Sequence, residues 1–84
     1  MGLYLTRIFQ KKFLKLPKRT RSQIEEAIHK IYQNPRSGKK LTGELEGEIS
    51  YRIGDYGIMY YVDEDRKIWI ETVGHRKDVY KKKA

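Results

Sequence analysis

The sequence contains no cysteine. Disulfides, thiolate catalysis and cysteine-bound structural zinc are therefore excluded together. A reducing compartment is permitted. No apolar run approaches the roughly 20 residues needed to span a bilayer. The stretch from Met1 to Phe9 lacks the long apolar centre of a secretory signal. A cytoplasmic domain with no membrane contact is the expectation. Signatures of cofactor and metal chemistry are absent as well. No glycine-rich phosphate loop precedes a helix, and His29 and His75 stand far apart with no ligand pattern around them. No serine has a base in its vicinity. The acidic groups Glu25-Glu26 and Asp63-Glu64-Asp65 fall in a helix and a turn, where they read as solvated charges. Neither a cofactor nor a metal is expected.

What is present fits one small domain over 1–84. A chain of this size buries only about 60–65% of its unfolded surface. That leaves room for a sheet with one or two helices on one face. It leaves none for a two-domain cleft, a dinucleotide-binding fold or a solenoid. Hydrophobic residues make up 38%, with tyrosine and isoleucine abundant enough to build a core. Lysine and arginine outnumber aspartate and glutamate by 19 to 11, for a net charge of +8. Such a balance favours an anionic partner: nucleic acid, an acidic protein segment or a membrane surface. A merely solvated basic surface is the alternative, and composition does not choose.

Leu3 to Ile8 reads as a strand. Phe9, Phe13, Leu14 and Leu16 then follow at helical spacing, with lysines between. Pro17 either interrupts this helix or opens the next. Ile24, Ala27, Ile28, Ile31 and Tyr32 form one apolar helical face. Two capping boxes compete for its start, Thr20 with Gln23 and Ser22 with Glu25. Asn34-Pro35 stops it. Residues 34–47 form a polar connector. Three strands then arrive in series: Ile49, Tyr51 and Ile53 alternating with Ser50 and Arg52; Tyr56 to Val62; and Lys67 to Val73, with Trp69 and Glu71 opposite Ile68 and Ile70. Short connections make these an antiparallel meander. The fold class is α+β in the order β-α-α-β-β-β, with two N-terminal helices on one face of a small, mostly antiparallel sheet.

Alternation puts Ser50 and Arg52 on the open face if Ile49, Tyr51 and Ile53 face the helices. The turn at Gly74 delivers His75, Arg76 and Lys77 near a sheet edge, followed by Tyr80, Lys81, Lys82 and Lys83. Guanidinium groups bind phosphate bidentately, and a phenol ring stacks on a base. The set suits single-stranded RNA; a charged face with a disordered tail fits equally well.

Four segments carry a resemblance: Lys12 to Pro17, Lys40 to Gly43, Tyr51 to Tyr60 and Val73 to Tyr80. In this order and spacing they resemble the RelE/ParE toxin superfamily, closest to its RelE branch, over nearly the whole chain. The resemblance implies a toxin of a type II toxin–antitoxin pair. It implies a ribosome-dependent endoribonuclease (an mRNA interferase) that cuts mRNA in the ribosomal A site, with the ribose 2′-hydroxyl as nucleophile. It also implies two partners, a cognate antitoxin and the ribosome with its mRNA. The positive charge suits both.

Carried over by position, three residues are implied to be catalytic. Arg52 would stabilise charge at the attacked phosphate. Arg76 would stabilise the leaving side or act as acid, and Tyr80 would stack on or orient the substrate. Ser50, His75, Lys77, Lys81, Lys82 and Lys83 are implied RNA contacts. His75 stands where the family often carries another residue.

Two positions depart from the family pattern. Ser50 stands where a second lysine or arginine is common, and Gly57 where arginine is usual. Gly57 therefore either weakens cleavage or is compensated by His75, Lys77 or the lysine tail. Two alternatives stay open beside the nuclease: a ParE-like toxin that inhibits DNA gyrase without cutting RNA, and a catalytically inactive domain that binds RNA or antitoxin. The basic tail over 78–84 is expected to be flexible or ordered only on binding.

Overall fold

A computed structural model describes residues 2–79. The first strand, β1, is Leu3–Leu5 and ends short of Ile8. Thr6 is the reason. Its hydroxyl accepts from the Phe9 N–H at 3.1 Å and so caps helix α1, Arg7–Leu14. The same hydroxyl donates to the Glu71 carbonyl at 2.6 Å, and the Thr6 N–H donates to the Ile70 carbonyl at 3.1 Å. One residue thus stops a strand, starts a helix and ties both to the sheet.

Helix α2 is Lys18–Gln33 and begins directly after Pro17. Thr20 and Ser22 lie inside it, so neither capping box is used. Proline at this boundary forgoes an N–H that a helix start leaves unpaired in any case. The helix buries Ile24, Ala27 and Ile31, with Ile28 partly buried against the same core. Tyr32 falls off that stripe and is 47% exposed. The Asn34 N–H closes the last turn on the Lys30 carbonyl.

The connector is more ordered than its composition suggests. It holds a two-residue strand, β2 (Lys39–Lys40), and a 3-10 turn, Gly43–Leu45. The meander follows as β3 (Ile49–Ile53), β4 (Tyr56–Val62) and β5 (Ile68–His75). A short helix, α3 (Arg76–Val79), turns back after β5, and its Val79 is buried. Sheet order is β1-β5-β4-β3-β2, with β1 parallel to β5 and the other pairs antiparallel. The β-α-α-β-β-β order holds, extended by β2 and α3. Lysines on β2 blunt that edge against further pairing.

The core joins Phe9 of α1 and Ile24, Ala27 and Ile31 of α2 to Ile58, Tyr60, Ile68, Ile70 and Val73 of the sheet. Each large apolar side chain so buried contributes about 1.5–3 kcal/mol, which fixes the face each strand presents. Tyr60 also anchors the connector. Its hydroxyl donates to the Pro35 carbonyl at 2.7 Å and accepts from the Gly38 N–H at 3.3 Å. A Cβ at Gly38 would lie 2.6 Å from the Ser50 carbonyl oxygen, so only glycine permits this approach.

Strict alternation along β5 fails after Ile70. Met59 pairs with Thr72 and Tyr60 with Ile70, which leaves Glu71 as the extra residue of a β-bulge. The bulge brings Val73 into the core and turns Thr72 to the open face. At the other end, Asp63 closes the β4–β5 turn. Its carboxylate accepts from the Asp65 and Lys67 N–H groups and from the Trp69 indole at 3.0 Å. That indole bond, helped by the Lys67 N–H, holds the Asp63 carboxyl below its usual range. No helix among the described residues is long and apolar enough to cross a membrane.

Candidate functional site

Helices α1 and α2 cover one sheet face, and the row that carries Arg52 belongs to the other. Register puts Arg52 of β3, Gly57 of β4 and Gly74 of β5 in one row across three strands. Arg52 is exposed and Gly57 is buried. The row's two glycines leave its centre without side chains. A Cβ at Gly74 would meet the Val79 Cβ at 3.7 Å, so α3 rests over this part of the face. Arg76 opens α3, is exposed, and donates its N–H to the Asp55 carbonyl at 2.8 Å. That bond ties the start of α3 to the β3–β4 turn. Arg52, Arg76 and the exposed Lys77 thus collect at one end of the sheet.

Two expected contacts are placed differently. His75 pairs with Tyr56, one step beyond the Gly57–Gly74 pair, and so points to the opposite face from Arg52. Its ring meets that of Tyr56 edge-on at 5.9 Å, and its Nδ1 accepts from the Lys77 N–H at 3.2 Å. Ser50 does project to the open face, but it is only 9% exposed, in a row with Met59 and Thr72. Tyr80, Lys81, Lys82 and Lys83 lie outside the described residues. A groove of about 1080 Å³ runs between the α2–β2 loop, Leu41, Glu48 and Val62, and neither Arg52 nor Arg76 lines it.

Sequence reasoning missed the neighbouring acidic centre. Glu48 and Glu71 meet on the open face, and burial, followed by the contact with Glu71, raises the Glu48 carboxyl from 4.5 to about 8. Two carboxyls in hydrogen-bond contact hold one proton between them at neutral pH. Glu71 reaches that face through the bulge, and nothing in the local sequence signals a bulge there. Chemically, the basic end can bind and neutralise phosphate oxygens, whereas the acidic centre can hold a proton or a cation.

A family model described as ParE toxin of type II toxin-antitoxin system, parDE, matches residues 3–80. Toxin RelG of Mycobacterium tuberculosis is 37% identical over 71 residues, covering 81% of this chain and 82% of the relative. A chain in the crystal structure of the toxin-antitoxin complex RelBE2 from the same organism superposes with a TM-score of 0.80 at 32% identity, covering 92% of each chain. The isolated E. coli RelE toxin shares the fold at a TM-score of 0.76 and 20% identity, over 88% of this chain and 82% of the other.

Proposed function

Because the chain belongs to the ParE/RelE toxin family of type II toxin–antitoxin systems, we propose that it is a ribosome-dependent endoribonuclease that cuts mRNA in the A site, is held silent by a cognate antitoxin, and acts in the cytoplasm. The observation that supports this reading best is the clustering of the exposed Arg52 and Arg76 at one end of the open sheet face.

In the proposed reaction the 2′-oxygen forms a bond to the adjacent phosphorus as the bond to the 5′-oxygen breaks. A 2′,3′-cyclic phosphate results, and the proton lost from the 2′-hydroxyl is balanced by one gained at the 5′-oxygen. Arg52 stabilises the charge that builds on the attacked phosphate. Arg76 stabilises the leaving side. Tyr80 orients the substrate by stacking. Lys77 and the lysines at 81–83 supply non-specific attraction to RNA. Ser50 and His75 contribute less than the sequence pattern suggests, one because it is nearly buried and the other because it faces away.

Gly57 attenuates the site. It places no side chain at the centre of the Arg52–Gly57–Gly74 row, where the family pattern has arginine.

The test adds purified protein to ribosomes stalled with a defined A-site codon and maps the mRNA ends, with free mRNA as control. A cut inside the codon, absent from free mRNA, is the expected result. No cut, combined with inhibition of gyrase supercoiling, moves the protein to the ParE-like reading.

A further inference from the structure

The open sheet face carries a second feature at the end away from Arg52. Register places Tyr61 of β4, Trp69 of β5 and Tyr4 of β1 in one row across three strands. Tyr61 lies four residues beyond Gly57 on β4, so the period of the strand puts this row on the same face as Arg52. At ~3.3 Å per strand residue, the two rows are roughly 13 Å apart.

The row is held in place before any ligand arrives. Tyr4 and Trp69 stack with ring centroids 4.9 Å apart and planes inclined by 26°. The Trp69 indole donates to the Asp63 carboxylate at 3.0 Å, which fixes that ring. Lys67 Nζ stands 5.9 Å from the centre of the Tyr4 ring. Cross-strand stacking accounts for the Tyr4–Trp69 contact. It does not account for three large aromatic side chains bordering water on a face that α1 and α2 leave open. Tyr4 is 41% exposed, and Trp69 and Tyr61 are partly exposed beside it.

The chemistry of the row narrows its ligand. Aromatic rings on a sheet, with a cation at their side, suit unpaired nucleobases, because every base has a π face to stack and a phosphate to neutralise. The carboxyls of Glu48 and Glu71 disfavour phosphate close to the sheet. Bases turned toward the rings, with the backbone outward, satisfy both conditions. A protein segment of acidic chemistry would bring its charge to the same carboxyls and gain less from the rings.

We propose that Tyr4, Trp69 and Tyr61 form a stacking platform for unpaired bases of single-stranded RNA, extending the binding surface from the Arg52 end across the open face. That the strand is mRNA rests on the reading above; the stacking itself does not.

Trp69 is the single tryptophan of the chain, so its fluorescence reports on the row directly. The toxin is titrated at low salt with a short 2′-O-methyl oligoribonucleotide, which lacks the attacking hydroxyl. An abasic strand of equal length and charge is the control. Saturable quenching by the base-bearing strand, and little by the abasic one, is the expected result. Tyr4→Leu should weaken the binding about 5- to 100-fold, the usual cost of losing one stacked base, whereas Tyr4→Phe should retain it. Equal quenching by the abasic strand, or by a polyglutamate peptide, overturns the inference. So does binding of a labelled strand, read by anisotropy, that leaves Trp69 unquenched, and so does no binding at all. A Tyr4→Leu protein that binds as tightly as the parent removes Tyr4 from the platform and overturns the row as a unit. Cleavage in the A site without quenching leaves the proposed function standing and the platform refuted; quenching without cleavage does the reverse.

Discussion

Glu48 and Arg52 project from the same stretch of chain onto the same sheet face, with Ser50 between them, yet they live in opposite chemical worlds. At the Arg52 end the cations are exposed and hydrated, and they need no protein partner to be stable. At the Glu48 end two carboxyls are pressed together and partly desolvated, so one must keep a proton or find a cation. The difference shows that net charge alone does not describe a binding surface. A chain with 19 basic residues presents on one face both a cationic end, which attracts phosphate, and an acidic centre, which repels it.

The strongest way to break the comparison is to remove the basic end. Arg52→Ala and Arg76→Ala should each lower single-turnover cleavage of ribosome-bound mRNA about 100- to 1000-fold, the usual cost of losing one oxyanion-stabilising donor. Both residues are exposed, so melting temperatures should stay unchanged. Equal cleavage by Arg76→Ala would remove it from the site.

Adding charge sharpens the contrast. Gly57→Arg should raise cleavage about 10- to 100-fold by restoring a charge-assisted phosphate contact. Gly57 is buried, so the added side chain must also make room for itself. Gly57→Ala controls for that space and should give no gain. If arginine cleaves no faster than glycine, the attenuation argument is wrong.

A further prediction concerns the acidic end and is read by pH. The Glu48 carboxyl is raised in the folded protein, from 4.5 to about 8. Between those values the folded state holds a proton that the unfolded state has lost. Stability should therefore fall as pH rises through this window and be flat below it. Thermal melts from pH 5 to pH 8 should show the decline, and Glu48→Gln should flatten it. A parent protein whose melting temperature rises over that range contradicts the assignment.

The smallest expected effect lies on the seam between the two sheet faces. Thr6→Ala removes a helix cap and the bond to the Glu71 carbonyl, at a cost of about 1–2 kcal/mol in urea denaturation. Because that carbonyl belongs to the bulged residue, the amides of Glu71 and Thr72 should also lose hydrogen-exchange protection.

Much of the fold is legible in the pattern of residues. The stripe at Ile24, Ala27 and Ile31 and the alternation through β3 and β4 mark the buried faces directly. The toxin-family resemblance, carried by segments such as Tyr51 to Tyr60, agrees with the family match over residues 3–80. The candidate site is legible only in part. Arg52 and Arg76 stand where position implied, because a strand's period and a short turn are local properties. His75 does not share their face, since β5 runs on to His75 and α3 begins only afterwards. The first helix starts earlier than the pattern suggests, because the strand-forming residues run on past Thr6 to Ile8; for the second, Pro17 was one of the starts the sequence allowed, beside two capping boxes that local sequence does not rank.

By itself the sequence determined the helical stripes, the strand alternation, the excess of positive charge and the membership of a toxin family, all of which follow from residue type and short-range spacing. Tertiary structure alone decided that Glu71 is bulged, that Thr72 turns outward while Val73 turns in, that Gly57 faces Gly74, and that Glu48 finds Glu71 across an intervening strand. The physical reason is that register belongs to pairs of strands and not to single ones. The inward faces of β4 and β5 must both be filled against the helices, and the bulge is where two local alternations are brought into agreement by that shared core.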